Sequence, residues 1–211
     1  MAAGPLTRDF YDRPTLDVAR DLLGKVLVHR GGSMTTSGTI VEVEAYIGES
    51  DPACHAAPGP TRRNKPLYGP PGFAYVYLNY GIHYLMNVVT EAEGAPAAVL
   101  IRALDPLDGI RTMRRRRTRS GKGRRGLAAE ASDVELCRGP GNLTVAMGIS
   151  LEENEVDLLG TRLWIEDRGA RLDPVAWGPR IGIRVGTTQP WRAWIPGHPA
   201  VSGARPALSR T

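Results

Sequence analysis

Three apolar, β-branched runs lie close together between residues 73 and 104, and they constrain the fold more than any other feature of the sequence. The runs cover residues 73–80, 84–90 and 97–104, and Gly81 marks a turn between the first two. Aromatic and β-branched residues favour strands. Links this short join antiparallel neighbours, because parallel strands need a crossover of a dozen or more residues. The segment therefore predicts an antiparallel meander of three strands.

The remaining sequence predicts short elements separated by many glycines and prolines. Asp105 followed by Pro106 is typical of a helix start, and this helix would run into a series of arginines. The other predicted elements are a helix at 15–23, a hairpin of strands at 26–28 and 39–46, a long loop at 48–72, a short helix ending near Gly148, a capping box at Ser150 and Glu153, and strands at 163–166, 180–185 and 191–195. No repeated strand–helix–strand pattern is present, so we expect an α+β fold rather than a doubly wound sheet.

A chain of 211 residues suits one domain with a substantial core. We expect residues 1–12 to be a loose N-terminal tail and residues 204–211 to be a C-terminal tail. Residues 13–203 would form the domain, including a basic loop at 114–126.

The sequence also indicates a compartment. No run of 18 apolar residues predicts a membrane span, and the first residues lack the charged and apolar pattern of a secretory signal. The two cysteines, Cys54 and Cys137, form no spacing motif, which is typical of a reducing, intracellular setting. We therefore expect a cytoplasmic protein that does not bind membranes.

The positive charge is concentrated in residues 111–125, which contain nine arginines and lysines and no acidic residue. Because the whole chain carries +5, the remainder without these nine would carry −4. Such a segment suits a polyanion, for example nucleic acid. A solvated basic loop without a partner is the alternative.

Glu42, Glu44 and Tyr46 share one face of their strand, because successive side chains of a strand alternate. A carboxylate and a tyrosine on one face can line a pocket; the alternative is the exposed polar face of an edge hairpin. Arg102 interrupts the apolar third strand of the meander, and a buried arginine needs a partner. Glu44 is a candidate partner, and the alternative is that Arg102 extends to solvent from an edge position.

The hairpin between residues 75 and 84 contains four tyrosines, namely Tyr75, Tyr77, Tyr80 and Tyr84. Aromatic rings stack on nucleobases, and a wedge at a hairpin tip can enter a base step. Packing in a hydrophobic core is the alternative for each ring.

Residues typical of metal and cofactor sites are few. The four histidines show no metal-ligand spacing, and neither a dinucleotide-binding motif nor a Walker phosphate loop is present. Only three lysines occur, which disfavours covalent amine chemistry. We expect no metal and no cofactor.

Several of these pieces occur in the order and approximate spacing of one family: the chain resembles the alkyladenine (3-methyladenine) DNA glycosylases. The matching segments are VEVEAY at 41–46, His55, RN at 63–64, YVYLNYG at 75–81, MN at 86–87, LIRALDP at 100–106, ELCRGP at 135–140 and RIGI at 180–183. The resemblance implies a single α+β domain. Its curved, mostly antiparallel, open-barrel-like sheet would be surrounded by short helices and carry a protruding DNA-binding β-hairpin.

The resemblance also implies a catalytic centre. Glu44 would act as the general base that deprotonates a water molecule. Arg102 and the backbone carbonyl of Ile181 would help to hold that water.

A base pocket is implied beside this centre. Tyr46 would stack on one face of a flipped base, and His55 with Tyr77 on the other. Asn87 would crowd the 2-amino group of normal guanine, and Tyr80 would fill the gap that the flipped nucleotide leaves in the duplex.

The implied activity is that of a monofunctional DNA repair enzyme without lyase activity or cofactor, acting as a monomer on double-stranded DNA. It would hydrolyse the N-glycosidic bond of 3-methyladenine, 7-methylguanine, hypoxanthine or ethenoadenine. We expect it in the cytoplasm, with the nucleoid in a bacterium. The DNA backbone contacts would come from Arg63, Arg114, Arg115, Arg138 and Asn142.

Two features depart from the family pattern. Asn142 stands where family members often carry a lysine, and the run of arginines at 114–117 is unusually basic. We expect the run to add non-specific affinity for DNA. One alternative is a non-catalytic binder of distorted DNA or structured RNA, which explains the arginines and tyrosines but not Glu44 and Arg102. A family member with a narrowed substrate range is another.

Overall fold

One curled antiparallel sheet forms the centre of the computed structural model, which describes residues 4–119, 131–170 and 174–203. Its strands within those ranges are β1 (Val26–Gly31), β2 (Met34–Ile47), β3 (Ala74–Asn79), β4 (His83–Val89), β5 (Ala97–Asp108), β6 (Leu163–Glu166), β7 (Ala176–Gly178) and β8 (Arg192–Trp194). The spatial order is β3-β4-β5-β2-β1-β6, and β8 pairs with both β2 and β7. The predicted meander is therefore confirmed as β3-β4-β5.

Strand β2 is the long central element of this sheet. One edge pairs with β5 over most of its length, while the other edge pairs with β1 at residues 34–39 and with β8 at residues 42–44. This change of neighbour accompanies the curl of the sheet into a half-barrel, in the direction that strand twist favours. The α+β class and the curved antiparallel sheet are both confirmed.

Short helices surround the sheet, as expected. They are α1 (Arg8–Tyr11), α2 (Thr15–Leu22), α3 (Ile110–Arg119) and α4 (Pro140–Met147), with 3₁₀ turns at Lys65–Tyr68, Asp133–Glu135 and Leu151–Glu153. Helix α2 packs on β2 and β5 and buries Val18, Ala19 and Leu22, of which Ala19 and Leu22 belong to the apolar stripe that predicted it. Within the described residues, every helix is too short or too polar to cross a membrane.

The N-terminal residues are more ordered than we expected. Pro5 bridges to β6, Leu6 donates its amide to the carbonyl of Ile165 at 2.8 Å, and Tyr11 is completely buried. The expectation of a loose tail over residues 1–12 is therefore wrong for residues 5–11, because burial of Tyr11 fixes this segment on the sheet. The predicted tail at 204–211 and residues 120–126 of the predicted basic loop lie outside the described residues.

The helix predicted from Asp105 begins later. Strand β5 continues through Pro106, which pairs with Gly38, and α3 starts at Ile110. A side chain at position 38 would meet the Asp105 carbonyl at 2.9 Å, so glycine there allows β5 to approach β2. Gly109, with a φ of +77°, makes the turn between strand and helix.

The strand predicted at 180–185 is also absent from the described residues. Bends and turns replace it, and Gly182 and Gly186 both have positive φ. The strands predicted at 163–166 and 191–195 are confirmed as β6 and β8, and the capping box of Ser150 and Glu153 is present.

Candidate active site

A cavity of about 630 Å³ opens beside the β3–β4 hairpin. Its walls also include residues 52–55, the beginning of α4 and residues 181–185. This volume lies in the usual range for small-molecule sites and can hold one nucleobase. Segments far apart in the chain thus meet around a single space.

Glu44 lies directly behind this cavity and is completely buried. Its Oε1 accepts the Ile181 amide at 2.6 Å and lies 3.1 Å from Nη1 of Arg102, and its Oε2 accepts the Tyr46 hydroxyl at 2.9 Å. All three partners line the cavity. A carboxylate has about four acceptor positions, so three occupied positions leave one on Oε2.

The local sheet structure explains why Glu44 and Arg102 meet. Glu44 pairs with Leu100, and the register shifts on both sides of Glu42, which opposes Ala103. Irregular pairing of this kind often re-aims side chains next to functional sites. Arg102 is only 7% exposed and contacts both Glu42 and Glu44, so its predicted pairing with Glu44 is confirmed and the solvent-extended alternative is wrong.

Aromatic side chains form a second part of the cavity wall. The rings of His55 and Tyr77 are 4.4 Å apart between centroids, and Nδ1 of His55 lies 2.9 Å from the hydroxyl of Tyr75. Burial, with a smaller contribution from Arg63, lowers the pKa of His55, so its imidazole is neutral at pH 7. Burial also raises the pKa of Tyr46 and Tyr77, which keeps both phenols protonated.

Asn87 and Ile181 complete the inner wall. Asn87 on β4 is 4% exposed, and its Nδ2 donates to the Tyr75 carbonyl at 3.1 Å. Ile181 contacts Glu44 through its amide. The family resemblance implied that its carbonyl helps to hold the water, and that role stays a prediction.

Tyr80 lies at the exposed tip of the hairpin. Its side chain is 82% exposed, and both Tyr80 and Gly81 have positive φ, at 49° and 69°. Consecutive positive φ values are typical of the tight turns that suit the twist of a hairpin. The hairpin packs on α4 next to its tip, because a Cβ at Gly141 would meet the ring of His83, the first residue of β4, at 2.7 Å.

The residues predicted to contact the DNA backbone are distributed around this face. Arg63 lies 5.7 Å from the centroid of the Tyr77 ring and donates to the Leu78 carbonyl at 3.2 Å. Arg115 on α3 is exposed, whereas Arg114 pairs with Asp133 at 2.6 Å. Their binding to phosphates stays a prediction.

The other two members of this set lie near the cavity mouth. Asn142 donates to the Arg138 carbonyl at 2.8 Å and accepts a hydrogen bond from Arg117. Arg138 donates to the Val201 carbonyl at 3.0 Å. Arg117 therefore brings a cation to the position where the family pattern has a lysine.

A buried ion pair between Asp51 and Arg180 was not predicted. Arg180 donates from Nη1 to Oδ2 of Asp51 at 2.6 Å and from Nη2 to Oδ1 at 2.8 Å, and its guanidinium lies against the rings of Tyr46 and Trp191. This pair joins the loop that carries His55 to the loop that carries the Ile181 amide. The only sequence signal was Arg180 in the RIGI segment, since Asp51 is one of several acids in a polar loop.

Among residues 4–119, 131–170 and 174–203, no three His, Cys, Asp or Glu side chains are grouped as metal ligands. Cys54 borders the cavity, where burial raises the pKa of its thiol to about 11.

The chain matches known proteins over nearly its whole length. Residues 9–199 match the model of the methylpurine-DNA glycosylase family. A relative in Chlorobaculum parvum is 44% identical over 202 residues, covering 95% of this chain and 91% of the relative. A relative in Burkholderia lata is 46% identical over 201 residues, covering 94% and 91%. Both carry the name 3-methyladenine DNA glycosylase as a provisional assignment.

A third relative, in the archaeon Methanocella arvoryzae, has the same provisional name and is 44% identical over 205 residues, covering 95% of this chain and 97% of the relative. The fold and the site thus define a DNA glycosylase. The chain belongs to the methylpurine-DNA glycosylase family.

Proposed function

We propose that this protein flips an alkylated or deaminated purine out of double-stranded DNA and hydrolyses its N-glycosidic bond, leaving an abasic site. Glu44 is the general base that activates the attacking water. The observation that carries the proposal is the geometry of Glu44, which keeps one acceptor position on Oε2 while its three partners line a cavity of nucleobase size.

The charges suit this reaction. Cleavage of the glycosidic bond builds positive charge on the sugar, and a buried anion nearby stabilises that charge and orients the water. The water would be held between Oε2 of Glu44, Arg102 and the carbonyl of Ile181. The water would occupy the acceptor position on Oε2 that the Tyr46 hydroxyl leaves free.

The aromatic wall supplies base binding. Tyr46 stacks on one face of the base and His55 with Tyr77 on the other, at about 1–3 kcal/mol per stacked base, which offsets much of the cost of flipping. A neutral His55 avoids repulsion with a cationic alkylated purine. Asn87 crowds the 2-amino group of normal guanine. The proposed substrates are 3-methyladenine, 7-methylguanine, hypoxanthine and ethenoadenine.

The exposed face supplies DNA binding. Tyr80 fills the gap in the stack, and the phosphates contact Arg63, Arg114, Arg115, Arg138 and Asn142. Lysine is absent from the described residues that line the cavity, so water hydrolyses the glycosidic bond without a Schiff base or strand cleavage. One flipped base needs one pocket, so a monomer is sufficient for the reaction. The protein would act on DNA in the cytoplasm.

Duplexes with one hypoxanthine, ethenoadenine, 7-methylguanine or 3-methyladenine test the proposal. We expect alkali-labile sites at the lesion with the wild type and none with Glu44→Gln, while both bind a duplex that carries a stable abasic analogue. Glu166→Gln is the matched control, because Glu166 is also a buried carboxylate in the sheet, bonded to Trp164 and Arg168. Binding without base release by the wild type would instead support a non-catalytic binder.

A further inference from the structure

Glu42 is a second buried carboxylate beside the proposed catalytic one. It is completely buried, and Oε1 accepts from Nε of Arg102 at 3.1 Å and Nε of Arg192 at 2.7 Å. Oε2 accepts the backbone amide of Ser202 at 2.6 Å. These contacts join residues that are 60, 150 and 160 positions from Glu42 in the chain.

Arg102 is shared between the two carboxylates. Its Nε faces Glu42, its Nη1 faces Glu44, and its Nη2 donates to the Ser202 hydroxyl at 3.2 Å. A guanidinium prefers to bind a carboxylate through two parallel hydrogen bonds. Here Glu42 and Ser202 contact Nε and Nη2, so Nη1 is the nitrogen of Arg102 that faces Glu44.

The end of the described chain completes this arrangement. Arg192 donates from Nη2 to the Ser202 carbonyl at 2.6 Å, and Arg138 donates to the Val201 carbonyl at 3.0 Å. Ala200 is completely buried beside Val41 and Ala103. Residues 200–202 are therefore fixed next to Arg102 by both packing and charge-assisted hydrogen bonds.

We propose that Glu42 and Ser202 are positioning residues that hold Arg102 so that only its Nη1 faces Glu44. This inference rests on the proposed function. Without them, Arg102 would turn to bind both oxygens of Glu44 and occupy the acceptor position that the water needs. The charges support this assignment, because Glu42 with Arg192 and Glu44 with Arg102 form a balanced group of two acids and two bases.

Single-turnover excision of hypoxanthine measures the effect. We expect Glu42→Gln to slow excision by about 10- to 100-fold, the size expected when a reacting group is misplaced. Ser202→Ala, which removes one neutral contact, should slow it about threefold. Affinity for a duplex with a stable abasic analogue should change less than threefold in both variants, and Glu166→Gln should retain the wild-type rate within twofold.

A double-mutant cycle separates positioning from a general structural role. In an Arg102→Ala background, Glu42→Gln should cause no further loss of rate, because the group that it positions is gone. Multiplying losses would overturn the inference, as would a folded Glu42→Gln variant with the wild-type rate. If Glu42→Gln does not fold, Ser202→Ala in the same cycle decides the question.

Failure of the proposed function has a different signature. It would be shown by a wild type that releases no base from any lesion. The positioning of Arg102 is then decided by a crystal structure of Glu42→Gln, in which an Arg102 side chain that keeps its wild-type orientation overturns the inference.

Discussion

Two buried carboxylates, one on β2 and one in the 3₁₀ turn at Leu151–Glu153, have similar partners and different surroundings. Glu44 is completely buried and Glu153 is 2% exposed, and each lies against an arginine and a backbone amide. Around Glu153, Oε2 accepts the amide of Ser150 at 2.7 Å, and Oε1 accepts from Arg162 at 2.5 Å and lies 3.4 Å from Nε2 of His29.

The difference lies in unused bonding capacity. Glu153 is also contacted by the Ser150 hydroxyl and by Nε of Arg162, so its acceptor positions are filled. The cavity beside the β3–β4 hairpin does not border it. Glu44 keeps one acceptor position behind a cavity lined by its partners. A buried ionic cluster alone therefore does not indicate a reactive site. A free acceptor position on a buried carboxylate beside a cavity does.

The largest expected effect separates the two carboxylates by activity. Glu44→Gln should reduce the rate of base excision by about 10³-fold, within the usual range for loss of a general base. Glu153→Gln should leave the rate within twofold at a temperature where it is folded. Single-turnover assays on a hypoxanthine duplex measure both, and comparable losses would break the comparison.

The next effect separates them by stability. Burial opposes ionisation of Glu153, but hydrogen bonds from His29, Ser150 and Arg162 lower its pKa to about 2. A depressed carboxyl pKa stabilises the fold above the unfolded pKa of about 4.5, and the contribution is lost as the pH falls towards 2. Glu153→Gln should therefore lower the free energy of unfolding by about 2–3 kcal/mol at pH 7, and by much less at pH 2.

Urea unfolding at both pH values checks this expectation, with Glu152→Gln as a control, because Glu152 is a neighbouring acid that is largely exposed. An equal loss of stability at pH 2 and pH 7 would contradict the assignment.

An exposed ring should affect DNA binding and not stability. Tyr80→Ala removes the tip side chain and should weaken affinity for a lesion duplex about tenfold, given about 1–3 kcal/mol per stacking contact. Tyr80→Phe keeps the ring and should bind within twofold of the wild type. Fluorescence anisotropy with both variants measures this, and a wild-type affinity for Tyr80→Ala would remove the wedge from the proposal.

The smallest effect extends the same contrast to the arginine run. Arg115 is exposed, whereas Arg116 donates to the carbonyls of Ala146 and Met147 at the end of α4. Arg115→Ala should reduce the salt slope of DNA binding by about one unit. Arg116→Ala should leave that slope unchanged and lower the melting temperature, and the opposite pattern would refute this division.

Much of the fold follows from local sequence patterns. Alternation in the strand of Glu42, Glu44 and Tyr46 placed them on one face, and the short links predicted the meander. The wrong predictions came from local signals that tertiary packing overrode. Pro106 is tolerated in β5 because Gly38 opposes it, and residues 5–11 are held by a buried tyrosine that no periodicity indicated.

The residues of the candidate site were predictable from the sequence, but most of the contacts between them were not. The need of a buried arginine for a partner indicated that Arg102 meets a carboxylate, and the structure adds that it meets two. The contacts of Glu42 with Arg192 and Ser202, and of Asp51 with Arg180, join segments more than 100 residues apart. Pairings at such distances depend on the curl of the whole sheet, so no local sequence pattern predicts them.

The contact between Gly141 and His83 has a mechanical consequence. Since not even a methyl group fits between the helix backbone and the imidazole, sideways displacement of the hairpin would press a ring onto a stiff peptide framework. Helix α4 thus supports the hairpin directly beneath its tip. The force needed to separate a base pair would then deform the duplex rather than bend the hairpin.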